Sequence, residues 1–260
     1  MNSLIMTGRT DTGMVREHNE DCFLIVPESG IAMLADGMGG HLAGEVASAL
    51  AVDKITHHLL KAFAEHRKAR PANSQSFEAQ VLVNAIQGAN TAIHQASLSK
   101  PEQSGMGTTI VVASFHDNRL TVAHVGDSRL YRYRRQALNQ LTEDHSMVQE
   151  LLRRGLISAE EARTSVNRNL VTRALGVDPV VEVDVNEETV EKGDLYLLCS
   201  DGLNDVLSDE EIGTMLAQYG SNLEAAAQQL ITEVNARGGP DNVSIVLIQA
   251  NGRFTRAKGH

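Results

Sequence analysis

Short apolar runs rich in β-branched residues punctuate the chain: "CFLIV" at 22–26, "IAMLA" at 31–35, "TIVVASF" at 109–115, "LTVAHVG" at 120–126, "LYLLCS" at 195–200 and "VSIVLI" at 243–248. Each is of strand length and bounded by Gly, Asp, Asn or Pro, which predicts a series of β-strands. Tight connections such as "HDNR" at 116–119 favour antiparallel pairing over crossover helices. Elsewhere the apolar period is helical. Leu42, Val46, Leu50 and Leu59 form one stripe, Leu82, Ile86, Ala89 and Ile93 a second, and Leu223, Ala227, Leu230 and Val234 a third. Capping boxes mark helix starts at Ser158 with Glu161, Ser208 with Glu211 and Ser221 with Glu224.

The resulting order is strands, two helices, strands, a helical insert, strands, two helices and a last strand. It predicts an α+β layered fold with sheets packed on each other and helix pairs outside. The polar stretch "HRKARPANSQS" at 66–76 reads as a loop between the first two helices. No composition shift or repeat divides the chain, so residues 1–260 are expected to form a single domain.

Composition narrows the function. Aromatic residues are 3% of the chain and Trp is absent, which argues against a base-stacking surface. The formal net charge of −10 likewise argues against a broad polyanion-binding face, so no nucleic acid is expected. An acidic protein can still handle phosphate if a metal supplies the positive charge. Cys22 and Cys199 lie in apolar runs and are expected to be buried, reduced thiols of a cytoplasmic protein. Neither a signal peptide nor a membrane-length apolar stretch occurs, so no membrane association is expected.

Four apolar runs touch an aspartate: Asp36, Asp127 and Asp201 follow theirs, and Asp241 precedes its own. Singly, each would pass for a turn residue. In an antiparallel sheet, however, the end of one strand lies beside the start of its neighbour, so all four could gather at one sheet edge. Close-packed carboxylates repel and stay partly protonated unless a cation neutralises them. Oxygen ligands without Cys or paired His suit Mg²⁺ or Mn²⁺.

The stretch "LADGMGGHLAGE" at 34–45 then resolves as something other than a phosphate cradle. It lacks the third glycine of a dinucleotide fingerprint, and no Walker loop is present. Its glycines more plausibly let the backbone approach a metal, with the Gly37 carbonyl as a ligand. In "TDTGMVREHNED" at 10–21, Arg16 lies close to Glu20 and Asp21. It is either a surface arginine in a charged loop or a planar clamp for a phosphate monoester.

"VREHNED", "LADGMGG", "GMGTT", "HVGDSR", "SDGL" and "GPDNVS" occur in the order found in metal-dependent protein phosphatases, the PPM or type-2C family. The chain resembles the compact bacterial members from Thr10 to Ile248. The resemblance implies a central antiparallel β-sandwich flanked by helix pairs, with two core Mn²⁺ or Mg²⁺ ions and possibly a weaker third. Carried over by motif, Asp36 bridges two metals and Gly37 offers its carbonyl to the second. Asp201 and Asp241 complete the first, Glu20 and Asp21 lie near the second through water, and Asp127 with Asp201 matches the third site. Arg16 takes the phosphate-binding position.

Residues 144–176 resemble the family's flap beside the active site; from the residues alone they read as two short helices, the second capped by Ser158, then a basic loop. Arg163, Arg168 and Arg173 either meet an acidic or phosphorylated substrate or form a solvated basic face. Two departures stand out. Met38 replaces the His that follows Asp-Gly in many eukaryotic relatives, so leaving-group protonation would fall to His41 or to water at the metals; His41 reads equally well as a structural residue at a helix start. The flap reads "RTSVN" where some bacterial relatives carry a His.

The expected activity is hydrolysis of phosphoserine and phosphothreonine on proteins by a monomer that opposes a Ser/Thr kinase. Two ions about 3.5–4 Å apart would activate water in line with phosphorus, with no covalent intermediate. Ser200 lacks the neighbouring base a nucleophile needs. A phosphatase for small phosphate esters and a catalytically weak pseudophosphatase are the alternatives. Substrate comparison separates the first, and the complete acid set weighs against the second.

Overall fold

The computed structural model describes residues 3–39, 42–65, 76–99, 101–165, 167 and 169–254. The expected loop at 66–76 lies almost wholly outside them. Two antiparallel sheets face each other. The first runs β1 (Leu4–Asp11), β11 (Val243–Ala250), β10 (Leu195–Cys199), β7 (Arg129–Arg134) and β8 (Ala137–Gln140) in spatial order. The second runs β2 (Asp21–Val26), β3 (Ile31–Met38), β5 (Ile110–His116), β6 (Arg119–Val125) and β9 (Asp184–Thr189), with the short β4 (Gly107–Thr108) paired to the far end of β3.

The core lies in three layers set by strand alternation. Ala32, Leu34, Val111, Ala113, Leu198 and Val246 meet between the sheets. Their sequence neighbours Ile31, Met33, Ala35 and Val112 point outward under α1 (Ala43–Glu65) and α2 (Phe77–Ser99). On the opposite side, Leu197, Cys199, Ile245 and Leu247 pack beneath α6 (Asp209–Tyr219) and α7 (Leu223–Ala236). Strands buried on both faces read as unbroken apolar runs, which is why the inner strands were visible in the sequence. The β5–β6 hairpin turns through Asp117 and Asn118, both at positive φ, as a two-residue primed turn requires.

Three local expectations are corrected. On α1 the buried face is Ala43, Ala47, Ala51, Ile55 and Leu59, whereas Leu42 and Val46 are exposed. Small side chains let the start of this helix lie close to β3, so Leu42 and Val46 point away there, and large residues are buried only further along, at Ile55 and Leu59. The last long helix is capped by Asn222, which accepts the Ala225 amide, and not by Ser221. The sheet-edge strands β8 and β9 are too polar to show as apolar runs. The stripes on α2 and α7 and the capping boxes at Ser158 and Ser208 are as expected.

The α1 correction can be tested by urea denaturation. Ile55→Ala, in the buried face of α1, is expected to cost ~2–5 kcal/mol. Leu42→Ala, at an exposed site, should cost under ~0.5 kcal/mol.

Candidate metal centre

The acids meet at one end of the sandwich, although not along a single sheet edge. Asp21 opens β2 and pairs in register with Asp36, within β3. Asp36 therefore does not end its strand: pairing with β4 carries β3 on through Met38. Asp201 and Asp241 come from the other sheet. Asp201 starts α5 (Asp201–Asn204) just after β10, and Asp241 lies two residues before β11. Asp127 sits in the short connection between β6 and β7, where the chain passes from one sheet to the other.

The carboxylates perturb one another. Burial first, then the charges of Asp21, Asp201, Asp127 and Asp241, hold the Asp36 carboxyl well above the usual range. Burial and the charges of Asp127, Asp205 and Asp241 do the same at Asp201. Burial pushes Asp21 up to about 6 against the hydroxyls of Ser244 and Ser200. Burial and then Asp144 bring Asp127 up to about 6. Burial also raises Glu20, against the pull of Arg16 and the Gly44 amide. Glu20 Oε1 and Asp21 Oδ1 are buried without a hydrogen-bond partner. Crowded, desolvated carboxyl oxygens with orphaned lone pairs are the donor set a hard divalent cation completes.

The framework around these acids is built from small polar side chains and glycine. Ser200 Oγ donates to Asp21 Oδ2 at 2.8 Å and accepts the Ser244 amide at 2.9 Å. This fully buried hydroxyl is a strut, in keeping with the absence of a base beside it. Asn242 Oδ1 accepts the Glu20 amide at 2.8 Å, while its Nδ2 donates to the carbonyls of Thr12 and His18. Thr108 Oγ1 and the Thr109 amide donate to the Asp36 carbonyl, and Thr109 Oγ1 accepts the Asp36 amide at 3.0 Å. Gly37 donates its amide to the Glu20 carbonyl, and a Cβ there would lie 2.2 Å from the Gly44 carbonyl oxygen. Only glycine fits that approach.

A family model described as "Protein phosphatase 2C" matches residues 15–243. The chain belongs to the protein phosphatase 2C family. It is 40% identical over 245 residues to "Serine/threonine phosphatase stp" of Listeria monocytogenes, covering 93% of this chain and 94% of that one. The crystal structure of the Mycobacterium tuberculosis serine/threonine phosphatase PstP/Ppp superposes with a TM-score of 0.84 at 37% identity, covering 96% of this chain and 99% of that chain. A structure of the PstP catalytic domain in complex with two manganese ions gives a TM-score of 0.82 at 36% identity, with the same coverage.

In this family member, Arg16 reaches across to the acids. Its Nη2 donates to Asp241 Oδ2 at 2.7 Å while half of the side chain stays in solvent. This hydrogen bond is the main reason its guanidinium pKa is raised. Beyond Asp127 and Asp201 the centre opens into a cleft of about 680 Å³ between α3 (Met147–Arg153) with α4 (Ala159–Thr164) and the start of α6. Asp144, Asp205, Asp209 and Glu211 also line it, and among its described lining residues Arg129 is the one basic side chain, chelated by both oxygens of Asp144.

The expected basic flap face is thus only partly placed. Arg173 is bound to Asp184 at 2.6 Å and lies near Glu182, so it is committed within the protein. Arg163 belongs to α4, and Arg168 lies outside the described residues, as does His41. Asn242, Thr109 and Asp205 support the site without a signal in the sequence that singles them out, and Ser200, which the sequence rules out as a nucleophile, joins them as a strut. Asn242, Thr109 and Ser200 stand inside or beside quoted motifs, and Asp205, four residues after Asp201, shares its short helix.

Raised carboxyl pKa values set a pH dependence. For Asp21 and Asp127 the folded pKa of about 6 exceeds the ordinary 3.8, so the metal-free native state binds more protons than the unfolded chain between those values. Their contribution to stability should therefore fall as pH rises from about 4 through 6. Cations require the ionised form, so Mn²⁺ should raise the Tm more at pH 8 than at pH 5 and release protons on binding. Calorimetry in two buffers of different ionisation enthalpy checks both.

Proposed function

We propose that this chain hydrolyses phosphoserine and phosphothreonine on proteins with divalent cations held by Asp36, the Gly37 carbonyl, Asp201 and Asp241. Glu20 and Asp21 assist at the second ion, and Asp127 with Asp201 holds a weaker third. The observation that carries this reading is the convergence of these acids from both sheets, with the raised proton affinities of Asp36 and Asp201 and two orphaned buried oxygens on Glu20 and Asp21. When bound, the ions supply Lewis acidity, making water nucleophilic near neutral pH and balancing charge on the phosphoryl oxygens.

The chain's own residues supply the rest. Arg16 has a planar fork matched to phosphate and is half exposed at the rim. Asp241 would be one of the residues holding the cation, and Arg16, once its carboxylate partner was engaged there, would have its fork free for the substrate phosphate. Asn242 fixes the loop carrying Arg16 through the Thr12 and His18 carbonyls. Ser200 and Thr109 hold the carboxylate-bearing backbone in position, so little reorganisation is needed when charge develops.

The cleft favours a protein substrate over a small ester, since it extends well past the acids and can take residues flanking a phosphorylated side chain. Its acidity favours flanks that are not themselves acidic. Mn²⁺ or Mg²⁺ fits the all-oxygen donor set. No helix among the described residues is long and apolar enough to cross a membrane. With both cysteines free, this suits a cytoplasmic protein; its place as a monomer opposing a Ser/Thr kinase rests on the family resemblance. Residues 144–176 serve as a flap within one domain.

Turnover of p-nitrophenyl phosphate and of a phosphothreonine peptide, each with and without Mn²⁺, tests the reading. Excess EDTA should stop both reactions and Mn²⁺ should restore them. Asp201→Asn should lose at least ~10³-fold in kcat with the fold intact, and Arg16→Ala ~10²-fold in kcat/KM. Undiminished activity in Asp201→Asn would rule out this metal assignment.

A further inference from the structure

Where the flap leaves and rejoins the sandwich, His124, His145 and Asp184 bring ligand-type atoms within 4.8 Å of one another. The set already contains a positive charge. Arg173 Nη1 lies 2.6 Å from Asp184 Oδ1 and 3.0 Å from His145 Nε2. His145 Nδ1 accepts the Gly126 amide at 3.0 Å, so the proton of the neutral ring belongs on Nε2; Nε2 then faces Asp184 Oδ2 at 3.5 Å as its acceptor, and the Arg173 approach to it is a contact between two donors that Asp184 bridges, not a hydrogen bond. With Nδ1 and Nε2 both engaged, His145 has no lone pair for a cation. The cluster is a structural joint.

What it joins matters. His145 makes two bonds to Gly126, the residue before Asp127: its amide donates to the Gly126 carbonyl at 3.0 Å, and its ring accepts the Gly126 amide. The His145 carbonyl accepts the Thr172 amide at 2.8 Å, and Met147 donates to the Leu170 carbonyl, so the two ends of the flap are zipped together at this residue. The ring is buried, stacked on His124 at 4.7 Å between centroids, and His124 Nε2 is held 2.8 Å from the Glu143 carbonyl oxygen. On its other side Gly126 is pressed against Thr109, where a Cβ would lie 2.6 Å from that side chain. Thr109 in turn bonds the Asp36 amide and Ser128 Oγ. One buried ring therefore connects the base of the flap to the loop of Asp127, and through Thr109 to Asp36.

We propose that His145 is a positioning residue that docks the flap onto the Asp127 loop, so that cation binding at Asp127 and ordering of the flap are a single coupled event. The inference rests on the reading of Asp127 as a cation ligand. Coupling of this kind is reciprocal: an ion that steadies the Asp127 loop steadies the flap, and a loosened flap weakens the ion. The flap also walls the substrate cleft through Ser146, Val148 and Leu152, so the same joint links metal occupancy to substrate access.

The test uses the full chain with Mn²⁺, measuring bound ion by equilibrium dialysis and flap exposure by hydrogen exchange. His145→Asn keeps an acceptor at the Nδ1 position, whereas His145→Gln moves it toward Nε2. In the wild type, flap exchange should slow as the weakest Mn²⁺ site fills. His145→Gln should weaken that site at least 10-fold and make flap exchange indifferent to Mn²⁺, leaving the two tighter ions in place. His145→Asn should stay within about 3-fold of the wild type. Asp127→Ala separates the two claims. If it leaves the weak ion bound, the reading of Asp127 fails. If it removes that ion while a folded His145→Gln retains it, the role of His145 fails. Should the Gln variant not fold, wild-type flap exchange that ignores Mn²⁺ overturns the coupling by itself.

Discussion

Mutual repulsion among buried carboxylates is the constraint that organises this end of the molecule. Asp21 and Asp36 face each other across two adjacent strands, and Asp201 and Asp241 approach from the opposite sheet. Left to themselves these groups would separate or keep their protons. The fold holds them by stiffness on one side and polar support on the other. The apolar layer between the sheets keeps the strand ends in place. Ser200, Asn242 and Thr109 then tie backbone and carboxylate together at the end of that layer. Glycines allow the approach: a Cβ at Gly202 would sit 2.0 Å from the Asn242 carbonyl oxygen.

The same field shapes what surrounds the centre. Arg16 and Arg129 are both drawn to acids, one at the rim and one in the cleft wall. Arg173, ahead of β9, is likewise spent on Asp184. The negative potential thus extends past the expected ligands along the cleft, where Asp144 and Asp205 raise the proton affinity of Asp127. A phosphoryl group can enter such a field only when cations compensate it. Metal dependence follows from the charge balance of the whole cleft as well as from the ligand set.

Much of the architecture could be read in advance because inner strands and amphipathic helices leave periodic traces. Ile86 and Leu230 announce their helix faces, and the two-sided burial of β3 shows as the run "IAMLA". The traces fade where packing chooses small residues or where one face meets water. At the start of α1, Ala43, Ala47 and Ala51 are buried while Leu42, just before the helix, is exposed, a reversal that close approach to β3 imposes. β9 reads "DVNEET" and shows no apolar run, since it lies at the edge of its sheet.

The site divides along the same line. Residue order alone determined that acids stand at the ends of apolar runs, that the runs pair antiparallel, and that a flexible-backbone glycine follows Asp36. Local chemistry and period-two burial suffice for those conclusions. Tertiary structure decided that the acids come from both sheets, that Arg16 binds Asp241, 225 residues away, and that His145 binds Gly126 through both its ring and its backbone. These contacts depend on strand register and on how one sheet lies over the other, which no short stretch of sequence encodes.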